Sequence, residues 1–166
     1  MRIRTYRQED RDILKEITAT CFGRDTSIDY TIEQVLGRVS GKDWAWHKKR
    51  HIDRDIAANP PGIFVAEADG DPVGFITTCV DKQARTGFIP NMAVLPNRQG
   101  EGIGRDLIEA ALQYFRRQKV HLVRIETLDT NPVGQHLYPS CGFKEAARQI
   151  HYALSLEDDA ATDGSE

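Results

Sequence analysis

The sequence predicts a single α/β domain on a central mixed sheet, and three features of the chain support this prediction. β-rich runs occupy residues 63–68, 72–80 and 88–95, with an Asp-Gly-Asp turn between the first two. Residues 102–118 follow as an amphipathic helix with its apolar side chains on one face. Residues 120–127 are again β-rich, so strand, helix and strand form a βαβ unit whose two strands are expected to be parallel.

The remaining elements follow from local patterns. A short strand and then a helix are predicted within residues 1–21, where apolar residues recur at helical spacing. Residues 30–58 are mostly helical in pattern, with a break near Gly41. Beyond the βαβ unit, residues 131–140 predict a short helix, and residues 143–154 predict one or two final strands.

Composition and charge limit the class of protein. A chain of 166 residues that is 40% hydrophobic and 28% charged fits one globular domain. The formal net charge is −3, but five acids and no base follow Leu156, which leaves +2 on the rest. We therefore expect a domain at residues 1–156 and a flexible acidic tail at 157–166. Neither the net charge of the whole chain nor that of the chain without its tail favours a nucleic-acid partner.

Targeting and thiol signals point to the cytoplasm. No apolar run approaches the roughly 20 residues that span a bilayer, and the first residues do not resemble a signal peptide. Cys21, Cys79 and Cys141 form neither a disulfide framework nor a zinc-binding spacing. We expect reduced thiols, a cytoplasmic location and no membrane partner.

A glycine-rich turn is the clearest functional signal. The turn reads Gln99-Gly100-Glu101-Gly102-Ile103-Gly104 and lies between a β-rich run and the amphipathic helix. Glycine lets the backbone approach a ligand, and a helix N-terminus offers unpaired N–H groups and a positive dipole end. Arg98 and Arg105 add positive charge at its edges. This combination predicts a site for the phosphates of a nucleotide-like cofactor.

The usual nucleotide motifs fit this turn poorly. A P-loop requires Gly-Lys-Ser/Thr, whereas Gly104 is followed by Arg105 and Asp106. The dinucleotide fingerprint requires a glycine where Arg105 stands, although Glu126 lies about where a ribose-binding acid would. A kinase glycine loop lacks its His-Arg-Asp and Asp-Phe-Gly partners.

Two motifs together resemble those of a known family. The first resembles the acyl-CoA signature of the GNAT N-acetyltransferase superfamily: Met92-Ala93-Val94-x-Pro96, then Gln99-x-x-Gly102-x-Gly104. The second resembles a later block of that family: Glu126-Thr127, Asn131 and Leu137-Tyr138-x-x-x-Gly142-Phe143. The resemblance covers roughly residues 1–155. It implies a central mixed, mostly antiparallel sheet with a βαβ core and flanking helices.

The resemblance also implies acetyl-CoA as co-substrate, with no metal. The glycine turn would hold the pyrophosphate. The strand before the turn would pair with the pantetheine arm, at the place where this strand and the strand at 120–127 splay apart. The residues so assigned to acetyl-CoA are Met92, Ala93, Val94, Arg98, Gln99, Gly100, Gly102, Ile103, Gly104, Arg105, Asn131 and Tyr138.

Catalysis is then assigned to Tyr138 and Glu126. A primary amine attacks the thioester directly, and the phenol of Tyr138 donates a proton to the leaving sulfur. A main-chain N–H near Met92 or Ala93 would polarise the carbonyl. Glu126 is the candidate general base, because an amine with a pKa near 10.4 must lose a proton before it attacks. A water chain, His121 and Glu67 are the other options for that base.

Residues 26–59 are the expected acceptor side. They contain Trp44, Trp46 and the run His47-Lys48-Lys49-Arg50-His51. The two histidines have helical spacing, but the three cations between them disfavour a metal, and a solvated basic face is the expectation. Nothing in the sequence identifies the acceptor.

The sequence therefore predicts an acetyl-CoA-dependent N-acetyltransferase that acts on a small-molecule amine or a peptide. The alternative is a catalytically silent CoA-binding sensor or regulatory module. A dinucleotide enzyme is a further alternative, as is a nucleic-acid module that uses the basic run. A homodimer is possible, because members of the resembled family often form one.

Overall fold

A computed structural model describes residues 1–157. Within them the chain forms seven strands and five α-helices. The strands are β1 (Arg2–Thr5), β2 (Phe64–Ala68), β3 (Asp71–Ile76), β4 (Cys79–Asp81), β5 (Thr86–Ile89), β6 (Met92–Val94) and β7 (Leu122–Ile125). The helices are α1 (Arg11–Cys21), α2 (Ile28–Leu36), α3 (Trp44–Ala58), α4 (Ile103–Arg117) and α5 (Pro132–Ser140).

The strands form two sheets. A four-stranded sheet has the order β1-β2-β3-β6 and is antiparallel throughout. A three-stranded sheet has the order β4-β5-β7, in which β4 is antiparallel to β5 and β7 is parallel to it. The expected mixed, mostly antiparallel arrangement is confirmed, including the parallel pair on either side of α4.

Alternation along the strands divides the core between two layers. Phe64 and Ala66 of β2 face the cluster that contains the buried side of α4, whereas Val65 faces the cluster of α1 and α3. This is the period-two pattern expected of a strand with a hydrophobic layer on each side. The four-stranded sheet is therefore covered on both faces.

Each of two predicted strands is broken in the structure. The run at 72–80 is divided at Thr77 and Thr78 into β3 and β4, and the run at 88–95 is divided at Pro90 and Asn91 into β5 and β6. The breaks pass the chain from one sheet to the other, so β6 pairs with β3 and β5 pairs with β7. A gap therefore opens between β6 and β7 beyond the last β5–β7 pair, Ile89 with Ile125.

The final strands expected at residues 143–154 are absent among the described residues. This part of the chain is not in a helix or strand, and all of residues 144–157 are exposed. The composition is β-rich, but a strand needs a hydrogen-bonded neighbour, and the segment has none here. The predicted tail, apart from Glu157, lies outside the described residues. No helix within residues 1–157 is long and apolar enough to cross a membrane.

Candidate active site

The edge of β6 that faces away from β3 forms one wall of the gap. On the other edge, the Leu95 N–H donates to the Val73 carbonyl of β3 at 2.9 Å, and the Asn91 carbonyl accepts from Thr77, directly after β3, at 2.8 Å. Hydrogen-bonded pairs alternate along antiparallel strands, so Ala93 also directs its main-chain groups to β3. Met92 and Val94 direct theirs into the gap. The main-chain groups open to a ligand are therefore those of Met92 and the N–H of Val94, and not those of Ala93, because the Val94 carbonyl accepts from the Gln99 amide.

The glycine turn lies at the N-terminus of α4, next to this edge. Gly100 has φ of 83° and Gly102 has φ of 84°, a left-handed conformation that L side chains rarely adopt. Gly102 is the residue immediately before the helix. Both glycines are exposed and have open space beside the backbone. The turn thus presents its backbone outward without side chains in the way.

The N–H groups of this turn are unpaired. Within residues 1–157, no main-chain N–H from Gly100 to Gly104 donates to a protein acceptor. Ile103 as a whole is 1% exposed and its side chain belongs to the core, so the exposed surface of the turn comes from its glycines and Glu101. Unpaired N–H groups at the positive end of a 15-residue helix form a site for an anion such as phosphate.

The neighbouring side chains are engaged with protein groups. Arg98 Nη2 donates to the Glu101 carboxylate at 3.0 Å, and this hydrogen bond raises the pKa of the guanidinium. The Gln99 amide donates to the Val94 carbonyl at 3.1 Å. Arg105 donates to the main-chain carbonyl of Ser140 at 3.0 Å. The anion site therefore depends chiefly on main-chain N–H groups, and Arg105 joins α4 to the end of α5.

Gly104 has a packing role as well. A Cβ at this position would lie 3.1 Å from Leu137 Cδ2, which is closer than most such contacts. The glycine therefore allows the first turn of α4 to approach α5. This approach brings the anion site and the helix that carries Tyr138 together.

Asn131 fixes the start of α5. Its Oδ1 accepts from the Gly134 N–H at 3.3 Å, and its Nδ2 donates to Thr127 Oγ1 at 2.8 Å. The first bond satisfies one of the unpaired donors of the helix N-terminus. In the protein without ligand, Asn131 is thus a helix cap at the mouth of the gap.

Tyr138 lies on α5 with a largely buried ring and a free hydroxyl. The ring contacts Phe143 edge-on at a centroid distance of 6.3 Å. Among residues 1–157 its hydroxyl has no hydrogen-bond partner. Burial raises the pKa of Tyr138 to about 12, so the phenol keeps its proton at neutral pH. The side chain is available as a hydrogen-bond donor.

Glu126 follows β7 directly and lies level with the point where the strands separate. The last parallel pair joins Ile89 to Ile125, so Glu126 stands opposite Pro90 at the opening of the gap. The side chain is exposed. Its position is compatible with a base that receives a proton at the mouth of the site.

The other two candidate bases lie elsewhere. Glu67 is held by Arg2 at 2.7 Å and by Arg4 at 2.6 Å, at the β1 end of the four-stranded sheet. His121 precedes β7, at the end of that strand opposite Glu126, and its N–H donates to the Arg85 carbonyl at 2.8 Å. Neither side chain lies at the gap.

A buried polar network beside the gap was not predicted. Lys48 and Asp55 of α3 are each 7% exposed, and they meet Asn91 and Thr77 at the two strand breaks. The basic run is therefore not wholly solvated, because Lys48 points inward. Burial lowers the pKa of Lys48 and raises the pKa of Asp55. In both residues, neighbouring groups that favour the charged form offset part of this effect. Pro90 within a β-rich run was the one sequence signal for the break.

A second polar pair lies near this network, between α2 and α3. His51 Nε2 is 3.4 Å from Asp29 Oδ2. Burial alone would raise the pKa of Asp29, but the His51 hydrogen bond and nearby positive charge lower it, so the carboxylate is ionised at neutral pH. Residues 1–157 contain no group of three or more His, Cys, Asp or Glu side chains that could hold a metal ion.

The family follows from a comparison with known proteins. The model of the acetyltransferase (GNAT) family matches residues 24–143, which include the gap, the glycine turn and Tyr138. The chain belongs to this family, and the resemblance inferred from the two motifs is confirmed.

Individual relatives agree in fold. The chain is 35% identical to a mycothiol acetyltransferase of Tsukamurella paurometabola over 141 residues, covering 74% of this chain and 48% of that protein. It thus spans about half the length of that relative. An aminoglycoside 6'-N-acetyltransferase of Acinetobacter haemolyticus superposes with a TM-score of 0.66 at 13% identity, covering 95% of this chain and 100% of the other. AAC(6')-Iy, bound to a bisubstrate analogue of CoA, gives 0.63 at 17% identity, covering 93% and 97%.

Proposed function

We propose that this chain transfers the acetyl group of acetyl-CoA to a primary amine of a small molecule by direct attack on the thioester. The observation that carries the proposal is the row of unpaired N–H groups from Gly100 to Gly104 beside the open edge of β6. The turn suits a pyrophosphate, and the outward groups of Met92 with the N–H of Val94 suit an amide-containing arm that lies along the strand. The CoA analogue bound by AAC(6')-Iy supports this cofactor.

The chemistry distributes three roles along the gap. The Met92 N–H points into the gap and polarises the thioester carbonyl as negative charge develops on its oxygen. The neutral amine attacks the carbonyl carbon, the C–S bond breaks, the new amide nitrogen releases its extra proton to solvent, and the sulfur leaves as a thiolate. Tyr138 donates a hydrogen bond to this sulfur. A phenol with a pKa of about 12 holds its proton more tightly than a thiol near 8.5, so Tyr138 stabilises the leaving group while a solvent proton completes the thiol.

Glu126 is the proposed general base. It lies at the mouth of the gap, where an incoming ammonium group must lose a proton. A carboxylate also attracts the cation before deprotonation, which favours an amine over a neutral acceptor. Asp29 supplies a second negative charge on the acceptor side.

The acceptor is proposed to be a small molecule because the site is bounded on one side. Thr130 Oγ1 donates to the Asp25 carbonyl at 3.1 Å, so the loop before α5 touches the loop between α1 and α2. A long peptide would need an open groove across this contact. The names of the mycothiol and aminoglycoside acetyltransferases among the relatives also support a small amine.

The test is turnover of acetyl-CoA with a panel of amines that contains aminoglycosides, other amino sugars and peptides with free amino groups. Thiol release is measured together with mass spectrometry of the acceptor, and Tyr138→Phe is the control for reaction at this site. We expect acetylation of at least one small amine. If the protein binds acetyl-CoA but acetylates no amine, the proposal fails in favour of a CoA sensor. Acetylation of peptides alone would contradict the small-molecule acceptor.

We also propose that the chain forms a homodimer through β7. Within residues 1–157, β7 pairs only with β5, and its Leu122 is 52% exposed. The unpaired segment 144–157 carries four exposed apolar side chains at alternate positions: Ile150 (76%), Tyr152 (90%), Leu154 (80%) and Leu156 (88%). Alternation of this kind suits one face of a strand, and an open edge suits a strand from a second copy.

Sedimentation analysis tests the dimer. The wild-type chain is expected to sediment as a dimer and Leu154→Asp as a monomer. Ser155→Asp is the matched control, because it places the same charge on the opposite face of the segment and should remain dimeric. A monomeric wild-type chain would overturn this assembly.

The three half-buried, unpaired cysteines of residues 1–157 support a cytoplasmic location, which we propose on that basis.

A further inference from the structure

Two residues stand where the β-rich runs break, and they are bonded to each other. The Thr77 N–H donates to the Asn91 carbonyl at 2.8 Å. In return, the Asn91 N–H donates to the side-chain hydroxyl of Thr77 at 3.1 Å. A side chain thus completes what would otherwise be a regular pair of main-chain hydrogen bonds. Thr77 is 0% and Asn91 3% exposed, so water is not available to replace these contacts.

Two side chains of α3 close the network. Asp55 Oδ2 accepts from Thr77 Oγ1 and from Asn91 Nδ2, each at 2.7 Å. Lys48 Nζ donates to Asn91 Oδ1 at 2.7 Å. Asn91 is therefore held at its main chain by Thr77 and at both ends of its side-chain amide by α3.

The network costs free energy that an apolar core would not. Burial of a charged or polar group is unfavourable unless it is hydrogen-bonded, and apolar replacements of such groups are often neutral or stabilising. Lys48 and Asp55 are both in this position, as the directions of their pKa shifts show. In return, the network fixes one backbone conformation at the break between β5 and β6.

That path determines the direction of one N–H group. Asn91 is followed directly by Met92, whose N–H faces the gap. A misplacement of about 1 Å at a reacting centre can lower a rate about 10²-fold. We propose that Thr77, Asn91, Asp55 and Lys48 are positioning residues for acetyl transfer, which hold the Met92 N–H against the thioester oxygen. This inference rests on the proposed function.

The test compares two variants at one buried position. Thr77→Val keeps the volume and removes the hydroxyl, so the Asn91 N–H loses its acceptor. We expect kcat to fall about 10-fold or more, with KM for acetyl-CoA changed by less than about 2-fold. Thr77→Ser keeps the hydroxyl and should restore kcat to within about 2-fold of wild type.

Thr18→Val is the matched control. Thr18 is also 0% exposed, and its hydroxyl donates to the Leu14 carbonyl within α1 at 2.8 Å rather than to a member of the network. Its loss should change thermal stability but not kcat. If Thr77→Val does not fold, Lys48→Met replaces it, with Lys49→Met as control, because Lys49 is bonded to Glu16 at the surface at 2.7 Å.

Amide hydrogen exchange separates failure of this inference from failure of the proposed function. The amides of residues 91–94 should exchange faster in Thr77→Val, but at wild-type rates in Thr77→Ser and Thr18→Val. Unchanged exchange in Thr77→Val overturns the positioning role whether or not an acceptor is known. Faster exchange with an unchanged kcat overturns it too and leaves a structural role. A wild-type protein that acetylates no amine contradicts the proposed function instead.

Discussion

The two sheets of this molecule differ in how completely they are covered. Val65, Phe75 and Ile76 of the four-stranded sheet are each 0% exposed, and helices pack on both of its faces. In the three-stranded sheet, β7 alternates between exposed and half-buried residues and keeps one edge unpaired within the described chain. The first sheet carries β6, which adjoins the anion site, whereas the second leads to Glu126 and α5. A fully covered sheet beside the anion site is thus combined with a less covered sheet beside Glu126 and α5.

The largest expected effect tests the difference in coverage directly. Phe75→Ala should lower the free energy of unfolding by about 3–5 kcal/mol, because it leaves a cavity between α1, α3 and the sheet. Val123→Ala in β7 should cost only about 1 kcal/mol, since that side chain is half-buried. Urea denaturation measures both. Equal losses of unfolding free energy would show that the two sheets are equally well covered.

The next effect concerns the cofactor support. Gly102→Glu should weaken CoA binding by about 10²–10³-fold, because it strains a left-handed position and sets a negative charge among N–H groups that bind an anion. Gly41→Glu is the control, since Gly41 has φ of 67° in a distant loop with open space around it. Isothermal titration with CoA gives both affinities. Normal binding by Gly102→Glu would contradict the anion site.

A smaller effect is expected at Tyr138 on α5, which follows the less covered sheet. Tyr138→Phe should lower turnover about 10²-fold while the affinity for CoA changes little, because only the leaving sulfur loses a donor. Tyr114→Phe is the matched control, because it also removes a tyrosine hydroxyl. The Tyr114 hydroxyl donates to Asn59 Oδ1 at 3.0 Å, outside the gap. That variant should be less stable but fully active. Equal turnover of the two variants would remove Tyr138 from the reaction.

The smallest effect is a dependence of stability on pH at the covered sheet. Burial opposes the ionisation of Asp10, but bonds from Arg4 at 2.7 and 2.8 Å and from the Arg7 N–H lower its pKa below the ordinary 3.8. The stabilisation is therefore present above pH 3.8 and is lost as the pH falls through the lower folded-state pKa.

Asp10→Asn should accordingly cost about 1–3 kcal/mol at pH 7 and progressively less below about pH 3.9. Denaturation curves over a pH series measure the difference. Asp12→Asn, at a side chain that is 91% exposed, should change nothing. A cost for Asp10→Asn that stays constant down to pH 2 would refute the linkage.

Features that depend on local sequence were predictable. The amphipathic pattern and the glycines fix α4 and its N-terminal turn, because helix periodicity and left-handed φ are properties of neighbouring residues. The two motifs likewise located Tyr138 and Asn131 on one short helix. Contacts within the sequence neighbourhood thus account for the cofactor end of the site.

Features that depend on distant partners were not predictable. The break at Thr77 is made by contacts to Asn91 and to Asp55 of α3, and nothing in the β-rich run itself signals it. Lys48 was assigned to the solvent with its basic neighbours, because only the folded chain shows that it bonds to Asn91. The prediction of strands after Phe143 was wrong for a related reason. A β-rich composition forms a strand only where a second strand is available for hydrogen bonding.

The bond from Arg105 to Ser140 bears on how this chain can change over evolutionary time. It joins residues 35 positions apart, and β7 and the loop at 126–131 lie between them. Because one guanidinium holds both ends, residues 128–130 in the middle of that loop can vary while the anion site keeps its position relative to Tyr138. Loops tolerate such variation better than the elements they connect. Changes at these three positions can therefore accumulate while α4 and the end of α5 stay joined.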